Sequence, residues 1–193
     1  MTIAHYITFL RILLIPVFVG LYLHGSILGL SQQSLAVLLL AVAGLGEISD
    51  ACDGYLARRL NQVTDLGKIL DPMADSLSRL AIYFCFTQPP IAIPLELPLL
   101  MLYRDVCVST LRTICALKGV ALAARNTGKF KAFIQAMSAF TILALLALSG
   151  DGMIQHQTLT TAAFYLALVA SLFSLYSGVD YIWSNRHYIK KIL

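Results

Sequence analysis

Residues Ser49 to Arg79 read SDACDGYLARRLNQVTDLGKILDPMADSLSR. Asp50 and Asp53 are spaced i, i+3, and Asp71 and Asp75 are spaced i, i+4. Either spacing puts both carboxylates on one face of a helix. The stretch therefore predicts a helix, a turn from about Leu60 to Gly67, and a second helix running antiparallel to the first. In that hairpin the four carboxylates converge. Like charges on one face repel, and a divalent cation offsets the repulsion. Hard oxygen ligands suit Mg²⁺, Mn²⁺ or Ca²⁺. Four carboxylates from two facing helices are enough for two bridged metals about 4 Å apart, an arrangement used in phosphoryl chemistry. The stretch holds no His and no paired Cys, which argues against zinc. Asp65, in the predicted turn, is most simply solvated.

The residues between the acids fit a phosphate ligand. Gly54 stands one turn after Asp50, Ala57 one turn after Asp53, and Gly67 one turn before Asp71. Small side chains on that face leave room for a bulky ligand near the backbone. Arg58, one turn after Gly54, offers a fork that binds phosphate bidentately.

The rest of the chain is apolar. Among 193 residues there are 14 Lys/Arg and 10 Asp/Glu, so 12% are charged, against about 25% in soluble domains. Hydrophobic residues make up 59% and mean hydropathy is +0.79. This excludes disorder and a disulfide-rich secreted scaffold, and predicts an integral membrane protein. Spans need roughly 20 apolar residues. Six are expected: about Ile7–Leu28; Leu35–Ile48, continuing through polar sequence to Arg59; Leu70 to just before Pro89; Leu97–Leu117; Ala132–Leu148; and Leu159–Ile182. No repeat or linker divides them, so residues 1–193 are expected to form one all-α domain, a bundle of six transmembrane helices. Turn formers mark three connections, at His24–Gly25–Ser26, Gln88–Pro89–Pro90 and Gly150–Asp151–Gly152. Cys52, Cys85, Cys107 and Cys115 form no CxxC pair and read as small buried hydrophobes. The N-terminus lacks a basic region and Arg11 interrupts its apolar run, so no cleavable signal peptide is expected.

Basic residues fall on one side. Arg58, Arg59 and Lys68 lie between the second and third spans; Lys118, Arg125, Lys129 and Lys131 between the fourth and fifth; Arg186, Lys190 and Lys191 in the tail. The other three connections carry no Lys or Arg. Both termini and the acidic hairpin are then expected on the cytoplasmic face.

Asp50-x-x-Asp53-Gly54-x-x-Ala57-Arg58, eight further residues, then Gly67-x-x-x-Asp71-x-x-x-Asp75 resembles the signature of the CDP-alcohol phosphotransferases at every position. Flanking segments are most similar to the phosphatidylglycerophosphate synthase branch: Thr8-Phe-Leu-Arg11, Leu70-Asp-Pro-Met-Ala-Asp75, Arg104-Asp-Val, Ser109-Thr-Leu-Arg112, Gly128-Lys129-Phe-Lys131 and Ser177-Gly-Val-Asp180-Tyr181. The chain departs from that branch at His5, where Asn is common, and at Ser76, Ser78 and Arg79.

The resemblance implies transfer of a phosphatidyl group from CDP-diacylglycerol to an alcohol, with CMP leaving. It implies Mg²⁺ or Mn²⁺ at a two-metal site held by Asp50, Asp53, Asp71 and Asp75. Asp71 and Asp75 are the implied catalytic acids, Asp75 as ligand, general base or both. It implies a nucleotide site lined by Gly54, Ala57, Arg58 and Gly67, with Thr8 and Arg11 closing it from the first helix. The acceptor on this reading is sn-glycerol 3-phosphate, an anion, and Arg104, Arg112, Lys129 and Lys131 are the candidate cations for it. Their structural alternatives are snorkelling to the interface, for Lys131 above all, and a salt bridge to Asp105 that absorbs one arginine. Glu47 is either close support for the cluster or an interior polar residue. Gly44 and Gly46 read as close helix packing, and Asp180 as a helix-end partner. A homodimer in a bacterial inner membrane and contact with membrane lipids are implied; no nucleic acid is expected. Inositol phosphate, serine, an amino alcohol and phosphatidylglycerol are alternative acceptors. A divalent-cation transporter is the competing class, although Arg58 beside the acids would repel cations. A non-catalytic lipid-binding protein would not need the whole signature.

Overall fold

A computed structural model describes the backbone over residues 3–25, 27–59, 65–119 and 125–192, and the side chains over 11–25, 27–49, 73–119 and 125–188. The elements are α1 (Ile3–His24), α2 (Gln32–Arg59), α3 (Asp65–Cys85), α4 (Glu96–Leu117), α5 (Asn126–Gly150) and α6 (His156–Ile192). Among the described residues all regular structure is helical.

Helix packing closes a ring. α1 packs on α2 and α3, α2 on α5, α5 on α6, α6 on α4, and α4 on α3. Along their described residues α2 and α3, although consecutive, scarcely touch: each leans on α1 instead. The inner faces hold Leu39, Tyr83, Phe86, Met101, Ile142, Leu143 and Leu146. Along α6 the buried stripe is small: Ala163, Ala167, Ala170, Ser171, Ser174 and Ser177. Small residues bring helix backbones close without a hydrophobic drive between them. The outer surface carries the bulk instead, with Leu13, Ile48, Val106, Phe133, Tyr165, Leu172 and Trp183 exposed. A helix such as α6, which hides alanine and serine while exposing tyrosine, leucine and tryptophan, is folded for lipid. Among the described residues, three helical segments are long and apolar enough to cross a membrane: Gln32–Ser49, Asn126–Gly150 and His156–Tyr188. Arg11–His24 is a shorter apolar helix.

One end of the bundle is tied tightly. A Cβ on Gly150 would stand 2.5 Å from the backbone nitrogen of Gln33, and one on Gly25 would stand 2.5 Å from a side-chain methyl of Leu35 on α2. Tyr22 donates to the Gln88 carbonyl at 3.0 Å. At this same end Gly152 takes φ +76°, a conformation that side chains disfavour, and ends the α5 turn.

Three boundaries differ from expectation. α3 begins at Asp65 rather than near Leu70, so Asp65 and Gly67 lie in its first turn; an acid suits the positive end of the helix dipole. α5 begins at Asn126, which makes Lys129 and Lys131 helical rather than loop residues. α6 continues ten residues past Ile182.

Candidate active site

Glu47 and Arg79 meet across α2 and α3, with Arg79 Nη1 3.4 Å from Glu47 Oε1. Glu47 stands 12 residues before the end of α2 and Arg79 14 residues after the start of α3. The two helices therefore form an antiparallel hairpin, as the acid spacing predicted. Asp50 and Asp53 on α2 and Asp71 and Asp75 on α3 all lie within its two or three turns between the Glu47–Arg79 rung and the connection.

Asp75 is the one of these four whose side chain is described. Arg11 of α1 donates from Nη1 to its Oδ1, and Arg79 Nη2 lies 3.5 Å from its Oδ2. Each carboxylate oxygen thus faces a guanidinium from a different helix. Arg11 is 3% exposed, and a charge so placed keeps its company in the folded state. These groups line a cavity among α1, α2 and α3, whose other walls include Leu14, Phe18, Val42, Gly46 and Ile82. Gly46, read from sequence as a packing glycine, borders this space.

A second polar cluster lies among α4, α5 and α6. Lys131 donates to both oxygens of Asp105, at 2.6 and 2.8 Å, and Arg104 Nη1 donates to Asp105 Oδ1 at 2.9 Å. Lys131 and Asp105 are buried, so Lys131 does not snorkel. Asp105 absorbs one arginine, as expected, and a lysine besides. Arg104 is seated between two glycines: a Cβ on Gly178 would stand 2.8 Å from its Cγ, and one on Gly128 3.7 Å from its Nη2. Two cations on one acid leave the cluster net positive.

Arg112, two turns along α4, donates from Nε to the Tyr181 hydroxyl at 3.1 Å, its guanidinium carbon 5.1 Å from the ring centroid. Asp180 receives Arg125 at 3.0 Å and Thr127 at 2.7 Å, and so pins the start of α5 to α6. Lys129 is exposed.

The structure thus brings Arg11 to Asp75, and Arg104 to Lys131. Arg112 stays on α4 with Tyr181 as its partner. The side chains of Thr8, Asp50, Asp53, Gly54, Ala57, Arg58, Gly67 and Asp71 lie outside the described residues. Sequence reasoning left Arg79 without a role; Glu47, one turn before Asp50, was the available signal for its partner. Among the described residues no cluster of three His, Cys, Asp or Glu forms a metal cage. The donor chemistry nevertheless fits a hard divalent cation. The helical backbone runs through all four aspartates, and Asp75 keeps its carboxylate among charged groups at the cavity edge rather than under apolar cover.

Comparison with known proteins gives a family. The CDP-alcohol phosphatidyltransferase profile matches residues 1–179. The chain is 33% identical over 190 residues, 95% of each chain, to the CDP-diacylglycerol–glycerol-3-phosphate 3-phosphatidyltransferase of Bacillus subtilis. It is 32% identical over 186 residues, again 95% of each chain, to the protein of that name in Rickettsia felis. It is also 34% identical over 192 residues, 98% of this chain and 85% of the other, to a cardiolipin synthase (CMP-forming) of Streptomyces coelicolor.

Proposed function

The chain belongs to the CDP-alcohol phosphatidyltransferase family, and from that premise we propose that it makes phosphatidylglycerophosphate from CDP-diacylglycerol and sn-glycerol 3-phosphate, releasing CMP. The observation that carries this reading is end-to-end likeness to transferases named for that reaction, in a chain with every signature position filled.

In the reaction the acceptor hydroxyl oxygen bonds to the phosphorus that bears diacylglycerol, and the bond from that phosphorus to the CMP oxygen breaks. Asp75 takes the hydroxyl proton, its carboxylate aimed by Arg11 and Arg79. Asp50, Asp53, Asp71 and Asp75 would hold Mg²⁺ or Mn²⁺, whose charge would offset that of the pyrophosphate and of the leaving CMP. Gly54, Ala57, Arg58 and Gly67 admit the nucleotide, with Thr8 and Arg11 closing the site. The net positive Arg104–Lys131 pair, with Arg112 and Lys129, attracts the acceptor phosphate. Lipid tails reach the site sideways from the bilayer.

Residues 1–193 act as one domain with six spans, both termini and the hairpin tip facing the cytoplasm of a bacterial inner membrane. The gathering of Lys and Arg in three segments supports that orientation. A homodimer belongs to the same proposal, and crosslinking in native membranes tests it.

Purified protein given CDP-diacylglycerol, Mg²⁺ or Mn²⁺ and a panel of acceptors should release CMP with sn-glycerol 3-phosphate, and chelation should stop it. Absence of CMP with every acceptor overturns the enzyme. Release with phosphatidylglycerol alone would favour the second reading, for which the Streptomyces relative is the specific support.

A further inference from the structure

The two helices that carry the signature acids scarcely touch one another along their described residues. Arg79 spans the gap between them. One nitrogen lies 3.5 Å from Asp75 Oδ2 on its own helix, and another 3.4 Å from Glu47 Oε1 on α2. If Arg79 needed only a counter-charge, Asp75 at i, i+4 would supply it. The reach to Glu47 adds something local pairing does not: it orders a side chain that is 41% exposed beside the cavity. Its position is specific as well. Glu47 is one turn before Asp50 and Arg79 one turn after Asp75, so the bridge is the rung next to the carboxylates.

We propose that the Glu47–Arg79 bridge is a positioning device for the metal-bearing hairpin, fixing the separation of α2 from α3 and hence of Asp75 from the α2 acids. Arg11 fixes the same carboxylate from α1, so Asp75 is located against two neighbouring helices at once. The functional meaning of the bridge rests on the metal reading above; its structural claim does not rest on which acceptor is used. Partners that orient metal ligands from outside the ligand set typically change metal affinity or activity 10- to 100-fold when removed.

The test is a double-variant cycle in nanodiscs: wild type, Arg79→Gln, Glu47→Gln, the double variant, and Arg79→Lys. Free Mn²⁺ is measured by electron paramagnetic resonance without substrate, and CMP release is followed separately. Each single variant should lose about tenfold in both Mn²⁺ affinity and kcat, with a smaller change in KM for CDP-diacylglycerol. The double variant should be no worse than either single one, because a bridge is lost once. Arg79→Lys should recover part of the loss. Glu47→Gln is isosteric and half-exposed, so its Mn²⁺ affinity decides the matter even where an Arg79 variant folds poorly. An unchanged Mn²⁺ affinity in Glu47→Gln, tighter Mn²⁺ binding in Arg79→Gln, or multiplying losses in the double variant would overturn the proposal. Absence of CMP from the wild type would instead remove the function reading, and the Mn²⁺ cycle would still judge the bridge.

Discussion

The bundle holds two charged clusters built on opposite plans. Among α1, α2 and α3, Arg11, Glu47, Asp75 and Arg79 balance in charge and border a cavity, on a hairpin that carries four more aspartates, Asp50, Asp53, Asp65 and Asp71. Among α4, α5 and α6, Arg104 and Lys131 share the single Asp105 and are closed in by helix packing. The first cluster is balanced and has an open side, which suits a ligand that must come and go. The second has base in excess and little access to water, where an ion pair is costly to disturb. On the proposed function, charge sign separates the metal site from the acceptor phosphate.

The sharpest way to break that contrast is Asp71→Asn. It should reduce CMP release by more than about 100-fold, above the usual effect of a residue outside the ligand set, while thermal unfolding stays near wild type. Near-normal turnover would remove the hairpin acids from the metal site. Asp105→Asn should instead cost stability. Taking the acid from a buried cluster leaves Arg104 and Lys131 uncompensated and costs about 3–5 kcal/mol, so this variant should unfold at distinctly lower temperature in detergent, whereas Glu47→Gln should hardly move that temperature. Equal shifts in the two would erase the distinction between closed and open clusters.

Gly178→Ala sharpens the phosphate side. The new methyl would collide with Arg104 Cγ, and misplacing a binding group by a fraction of an ångström should raise KM for glycerol 3-phosphate about tenfold. KM for CDP-diacylglycerol should change little; a rise in both would place Arg104 at a shared site. The smallest effect belongs to Tyr181→Phe. It deletes one hydrogen bond to Arg112 and keeps the ring beneath the guanidinium, so about 1 kcal/mol, or roughly fivefold in acceptor KM, is expected.

The hairpin was legible because its information is local: acids three and four residues apart state a helix face without help from the rest of the chain. The turn formers at Gly25 and Gly150–Gly152 were legible for the same reason. The start of α5 was not. Lys129 and Lys131 look like connection charges, and only Asp105, 26 residues away and on another helix, makes an interior place for Lys131. Arg79 likewise looked like a departure from its family until Glu47, 32 residues earlier, supplied its partner. Pairings between helices depend on how two faces are rotated toward each other, and a helix's own sequence does not record that rotation.

The close approaches at the Gly25 and Gly150 end have a mechanical consequence. With Gly150 against the backbone of Gln33 and Tyr22 tied to Gln88, the helix ends there are gripped like the pivot of a pair of tongs. Any parting of the helices that lets a two-tailed lipid slide in is directed to the opposite end, where the aspartates stand.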